Sequence, residues 1–162
     1  MIISELRQAF TMLEVIIVVA LIGLLAALGS SYYGNFTKSI DLDSTARSIV
    51  SDLKAAQAQA MSGADSNADG ISDKWGICFR YHASTPSYDI ISPAVDCSST
   101  VKSTVYLQSG IIFSIPGAGT AYVIFDKITG SATLTGVSDI HITGNNQTKT
   151  ITITSAGLIS SD

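Results

Sequence analysis

The hydrophobic rhythm of the chain changes twice along its length. From Val15 to Leu28 nearly every residue is apolar and there is no period, Val-Ile-Ile-Val-Val-Ala-Leu-Ile-Gly-Leu-Leu-Ala-Ala-Leu. Counted from Phe10 the run is 19 residues, and at ~1.5 Å per residue a helix of that length nearly spans the hydrocarbon core of a bilayer. From Leu42 the apolar residues fall into steps of four and three: Leu42, Ala46, Ile49, Leu53, Ala56 and Ala60. That is the stripe of an amphipathic helix, with Asp43, Arg47, Asp52, Lys54 and Gln57 elsewhere on its surface. Gly29-Ser30-Ser31 and Gly34 lie between the two stretches and weaken a helix locally. The pattern predicts one long helix over about 11–61, apolar in its first half and one-sided in its second.

Beyond Trp75 the period drops to two, with Trp75, Ile77, Phe79 and Tyr81 on one face. Short strand-like runs follow at 88–91, 101–107, 111–113, 121–125, 131–135, 140–143 and 149–154. Turn clusters at 116–119, 129–130 and 144–147 separate several of them. Seven or eight short antiparallel strands with one face on a helix predict an α+β domain.

Glu14 breaks the apolar pattern near the start of the first run. An ionised carboxylate there costs at least ~2.5 kcal/mol on insertion scales and needs a partner. The next basic residue along the chain is Lys38, so the partner is expected outside the chain. Phe10-Thr-Met-Leu-Glu14 followed by the apolar run resembles the prepilin signal of type IV pilins and type II secretion pseudopilins. The resemblance implies cleavage between Ala9 and Phe10 and methylation of the new terminal amine of Phe10. It also implies that Glu14 pairs with a terminal amine during filament assembly. An ammonium and a carboxylate in an apolar filament core are tolerable together and costly apart. Where the family carries Gly before the cut, this chain carries Ala9. A secretory signal or a plain single-pass anchor accounts for the apolar run but leaves Glu14 unexplained.

The family plan is a lollipop. Residues 1–9 form the leader, 10–31 the transmembrane and filament-core half of the long helix, and 32–61 its amphipathic half. A loop at 62–74 precedes an antiparallel β domain at 75–162. Leu53-Lys-Ala-Ala-Gln-Ala-Gln-Ala-Met61, Trp75-Gly-Ile-Cys78, Val123–Gly130 and Ile151–Leu158 are most similar to the GspH/FimT group of minor pseudopilins and minor pilins. On that plan the residues after the membrane segment face an oxidising compartment, where Cys78 and Cys97 are expected to pair. Two free buried thiols are the alternative, since spacing alone does not settle geometry.

Asp65-Ser-Asn67-Ala-Asp69-Gly70-Ile71-Ser-Asp73 carries side-chain oxygens at the first, third, fifth and ninth places and Gly at the sixth. That spacing matches most of an EF-hand-type loop. It predicts a structural Ca2+ site with side-chain ligands from Asp65, Asn67 and Asp69, the carbonyl of Ile71, and Asp73 bound directly or through water. Gly76 stands at the twelfth place, where a full EF-hand has Glu. A solvated polar turn is the alternative.

The chain has 9 Lys and Arg against 13 Asp and Glu, a net charge of −4. The basic residues are scattered, which argues against a nucleic-acid partner. No arrangement of nucleophile, base and phosphate-binding loop suggests an enzyme. The expected function is a minor pilin or pseudopilin, a structural subunit of a type IV pilus or type II secretion pseudopilus. Its expected partners are other pilin subunits, a prepilin peptidase/methyltransferase, the inner-membrane assembly platform and the lipid bilayer. Its globular part would be periplasmic or extracellular. The runner-up is a filament-tip module that captures DNA or a surface ligand.

Overall fold

The structure, a computed structural model, describes residues 11–81, 85–115, 120–144 and 146–162, with the backbone alone for 28–39. The chain divides into two compact units, Met1–Thr37 and Lys38–Asp162. Helical residues run from Met12 to Met61 (α1), and the division falls within them.

Both ends of α1 carry sequence-encoded stops. At the start, the backbone N–H of Glu14 donates to Oγ1 of Thr11 at 3.3 Å. Thr11-Met-Leu-Glu14 therefore has the spacing of a capping box, and the Glu14 carboxylate lies in the first turn, where the helix dipole favours it. At the end, Gly63 adopts φ +70. The N–H of Ala64 reaches the carbonyl of Gln59 at 3.1 Å, and that of Gly63 reaches Ala60 at 3.2 Å. This is a Schellman cap, which needs a left-handed residue that glycine supplies without strain.

In the Lys38–Asp162 unit, all six stripe residues from Leu42 to Ala60 are buried. They pack against two sheets. The first has the order β3-β2-β1-β5-β6, from β1 (Trp75–Arg80), β2 (Ser87–Ile91), β3 (Val101–Tyr106), β5 (Ala121–Phe125) and β6 (Ala132–Thr135). The second has the order β4-β7-β8-β9, from β4 (Ile112–Ser114), β7 (Asp139–Gly144), β8 (Gln147–Ile153) and β9 (Ile159–Ser161). All pairings are antiparallel. The period of two sends Ile77, Phe79, Val123 and Phe125 of the first sheet and Ile140, Ile142, Ile151 and Ile153 of the second into one core with the stripe. Phe79, Tyr88 and Phe113 meet there edge-on or tilted. The opposite face of the first sheet holds a smaller cluster, Cys78, Ile91, Ala94 and Ile124, beneath the loop that follows β2.

Three of the expectations need correcting. The pilin-like lollipop built on a single long apolar-to-amphipathic helix is replaced by a small α+β fold, because the apolar and amphipathic stretches of α1 belong to different units. Among the described residues no helix is long and apolar enough to cross a membrane. The transmembrane assignment of 10–31 is therefore withdrawn. Finally, the β domain is two sheets rather than one, and it includes β9, a strand absent from the expectation.

Candidate functional site

Ala9 and Phe10, the expected cleavage and methylation positions, lie outside the described residues. Glu14 is described. It is exposed in the first turn of α1, at the head of an uninterrupted apolar surface. Eleven large apolar side chains between Met12 and Leu25 are each at least 47% exposed. Soluble monomers rarely expose contiguous apolar patches beyond a few hundred Å², and burying such side chains recovers up to ~1.5–3 kcal/mol each. The capping role of Thr11 was missed in the sequence, although the Thr-x-x-Glu spacing was there to signal it.

The 64–73 loop is held by its own backbone. Asp65 accepts from the N–H groups of Asn67 (3.1 Å) and Ala68 (2.7 Å) with one oxygen and from Gly70 (2.7 Å) with the other. Asn67 accepts from the N–H of Asp69, and Asp69 accepts from the N–H of Ile71 and the side-chain amide of Asn67. Asp73 turns inward and accepts from both the hydroxyl (2.7 Å) and the N–H (2.8 Å) of Ser66. Those Ser66 bonds hold the Asp73 carboxyl below its usual range against burial and the nearby charge of Asp65. Desolvation pushes Asp65 up, but the N–H donors led by Gly70 outweigh it and its carboxyl also lies low. Trp75 Nε1 and Lys102 Nζ donate to the carbonyls of Ala64 and Ser66 and tie the loop to the first sheet.

This geometry leaves the calcium expectation unsupported. Among the described residues no group of three or more His, Cys, Asp or Glu is placed to hold a metal ion. The oxygens of Asp65, Asn67, Asp69 and Asp73 accept the loop's own hydrogen bonds, and Ile71 takes part through its N–H. The residues described do not converge on a cation, and no calcium site is assigned to them.

Cys78 and Cys97 form a disulfide, with Cα atoms 5.3 Å apart and a sequence separation of 19. It fastens the loop after β2 to the outer face of β1, over Ile91, Ala94 and Ile124.

Several polar contacts were not legible in the sequence. Asp89 is buried on β2 and is bonded by Arg80 Nε and by the hydroxyl of Thr104, its cross-strand partner on β3. Tyr88 donates to Asp52 of α1. Burial, and then the Asp52 carboxylate, push the Tyr88 hydroxyl well above its usual pKa of 10. Gln57 donates to the carbonyls of Gly130 and Gly157 at 2.8 and 2.9 Å, joining α1 to a turn of each sheet. An open cleft of about 260 Å³, lined in part by Tyr88, lies between α1 and the end of β3.

No family model, no curated protein and no solved structure matches this chain.

Proposed function

We propose that this chain is a structural subunit of a pilin-like filament, of the minor pseudopilin or minor pilin kind, that serves a type II secretion system or a type IV pilus. It is not an enzyme in this reading. The observation that carries the proposal is the capped helical segment Met12–Ala27, whose large apolar side chains are exposed while a carboxylate stands in its first turn. Packing against the same segment of other subunits removes that surface from water. A terminal amine on a processed neighbour gives Glu14 the cation that its own segment lacks. Processing needs a prepilin peptidase acting between Ala9 and Phe10. The Cys78–Cys97 disulfide supports a periplasmic or extracellular location for the Lys38–Asp162 unit, because disulfides persist in oxidising compartments.

The test is co-expression with a prepilin peptidase and the assembly components. Intact mass should show loss of Met1–Ala9 and one added methyl on Phe10. Glu14→Ala should be processed normally, yet its incorporation into filaments should fall by at least about tenfold, since an unpaired charge in apolar surroundings costs ~3–5 kcal/mol. An unprocessed chain, or undiminished incorporation of Glu14→Ala, overturns the reading.

A further inference from the structure

We propose that one end of the Lys38–Asp162 unit docks into an open cleft at the other end of that unit in a second copy of this chain. The docking end is built around Ile128, in the turn between β5 and β6. Its φ of +68 is left-handed, a conformation that a β-branched residue enters only under strain. The turn is held from both sides. The N–H of Thr129 donates to the carbonyl of Lys127 at 2.7 Å, and the N–H of Ile128 reaches the carbonyl of Ala60 on α1 at 3.5 Å. Strain of this kind persists where the surroundings over-determine it, and it gathers at functional sites. Here it presents an isoleucine that is 80% exposed and belongs to neither core cluster. Met61, at the end of α1, is half exposed on the same corner. A Cβ on Gly130, just after this turn residue, would lie 2.6 Å from the Met61 sulfur. Gly130 in turn meets Gly157, and Leu158 beside it is exposed as well. Three chain segments thus bring exposed apolar residues to one corner.

A second copy offers a concave surface that suits this corner. An open cleft of about 590 Å³ lies between α1 and the start of β8, lined by Ile40, Leu42, Asp43, Gln147, Thr148 and Lys149. Gln147 and Lys149 share the α1 side of β8 with Ile151, since side chains alternate along a strand. Lys149 is paired there with Asp43 at 3.4 Å, and Ile40 is left about half exposed. Ile40 and Met61 are ~32 Å apart at helical rise along α1, so corner and cleft cannot meet within one chain. Corner against corner is the poorer pairing, because it sets convex on convex and faces the Lys127 ammonium groups of two copies. The few side chains involved also fall far short of the ~800 Å² per partner buried in a stable two-fold dimer. Corner into cleft is a heterologous contact, which repeats head to tail instead of closing in pairs. It uses neither Glu14 nor the apolar segment and so goes beyond the filament reading. Alone it is weak, in the millimolar range, because covering a few side chains barely exceeds the cost of association.

The test uses the full oxidised chain in dodecylphosphocholine micelles at millimolar concentration. Cys78 and Cys97 are bridged and no cysteine is free, so introduced thiols are the reactive ones. Chains with Thr129→Cys, at the corner, are mixed with chains with Gln147→Cys, at the cleft, and treated with a short bismaleimide. The mixed cross-link should exceed that of Thr129→Cys with itself, and that of Thr129→Cys with Thr135→Cys on β6, by at least about fivefold. Met61→Gln in the first chain and Ile40→Ser in the second should each reduce it by at least about threefold. Should either lose its fold, the other reads the contact. Ile128→Asn should reduce the cross-link as far without lowering the melting temperature, because Asn takes the left-handed conformation at less cost. An Ile128 that served only the fold would melt earlier when replaced. A mixed cross-link no stronger than the controls, one unmoved by the variants that fold, or a lower melting temperature in Ile128→Asn overturns the proposal. The assay needs no peptidase and no filament, so its failure leaves the filament reading to the Glu14→Ala test.

Discussion

Gly157 lies where α1 and both sheets close on one another. Its φ of +84 is left-handed, and a Cβ there would lie 2.2 Å from the carbonyl oxygen of Gly130 and 2.5 Å from Nε2 of Gln57. Those are the atoms that hydrogen-bond across the junction. Gly157→Ala therefore combines backbone strain with a clash against main chain and should destabilise the fold by about 2–4 kcal/mol, read from the urea midpoint. Gln57→Leu keeps the volume but leaves the carbonyls of Gly130 and Gly157 without their donor, and should cost about 1–3 kcal/mol. Neither residue stood out in the sequence. A glutamine on the flank of an amphipathic helix reads as solvated, and its partners are 73 and 100 residues away in the chain.

Among the elements, the amphipathic part of α1 shows how unevenly one helix carries stability. Leu53 is fully buried beneath both sheets, so Leu53→Ala should cost about 2–5 kcal/mol. Val18 is about half exposed, so Val18→Ala should shift the unfolding midpoint by less than about 0.5 kcal/mol. The stripe from Leu42 to Ala60 was fully legible, because a helix that buries one face against sheets repeats its apolar positions regularly. The 64–73 loop was read from its oxygen spacing as a calcium loop, with a polar turn as the alternative. Oxygen spacing is the same whether carboxylates face a cation or accept the loop's own N–H groups, and the hydrogen bonds favour the second. Those bonds set a pH dependence. Asp65 and Asp73 have carboxyls held below the usual range by their donors. Their contribution is present above the unfolded carboxylate value of ~3.9 and is lost as pH falls through the lower folded values. Melting temperature should hold steady from about pH 7 to about pH 5 and fall below about pH 4. Asp65→Asn and Asp73→Asn should each make that acid fall shallower.

At the scale of the whole molecule, most strands were legible from their period of two, but their grouping into two sheets was not. β4 follows β3 in sequence yet pairs with β7 in the second sheet, and nothing local records that choice. β9 has one buried residue, Ile159, and exists because Ile153 on β8 is its partner. The apolar run was legible as unusual, but its composition alone could not separate a membrane span from a surface that packs on other protein. The division at Thr37/Lys38 gives the last prediction. Among the described residues, every buried core residue of both clusters lies between Leu42 and Ile159, so the apolar burial described is internal to the Lys38–Asp162 unit. Produced alone in an oxidising compartment, residues 38–162 should melt in one cooperative transition and run as a monodisperse species. They should contain the Cys78–Cys97 bridge, and Cys78→Ser with Cys97→Ser should lower their stability by about 3 kcal/mol, the loop-entropy value for a closure of this size. The full chain in the same buffer without detergent should self-associate, because the large apolar side chains from Met12 to Leu25 remain exposed in the single chain. Light scattering and calorimetry on the two forms decide it. A fragment that fails to melt cooperatively would show that residues before Lys38 are needed for the fold. A monodisperse full chain would show that the apolar helix does not drive association, and would remove the ground for reading this molecule as a filament subunit.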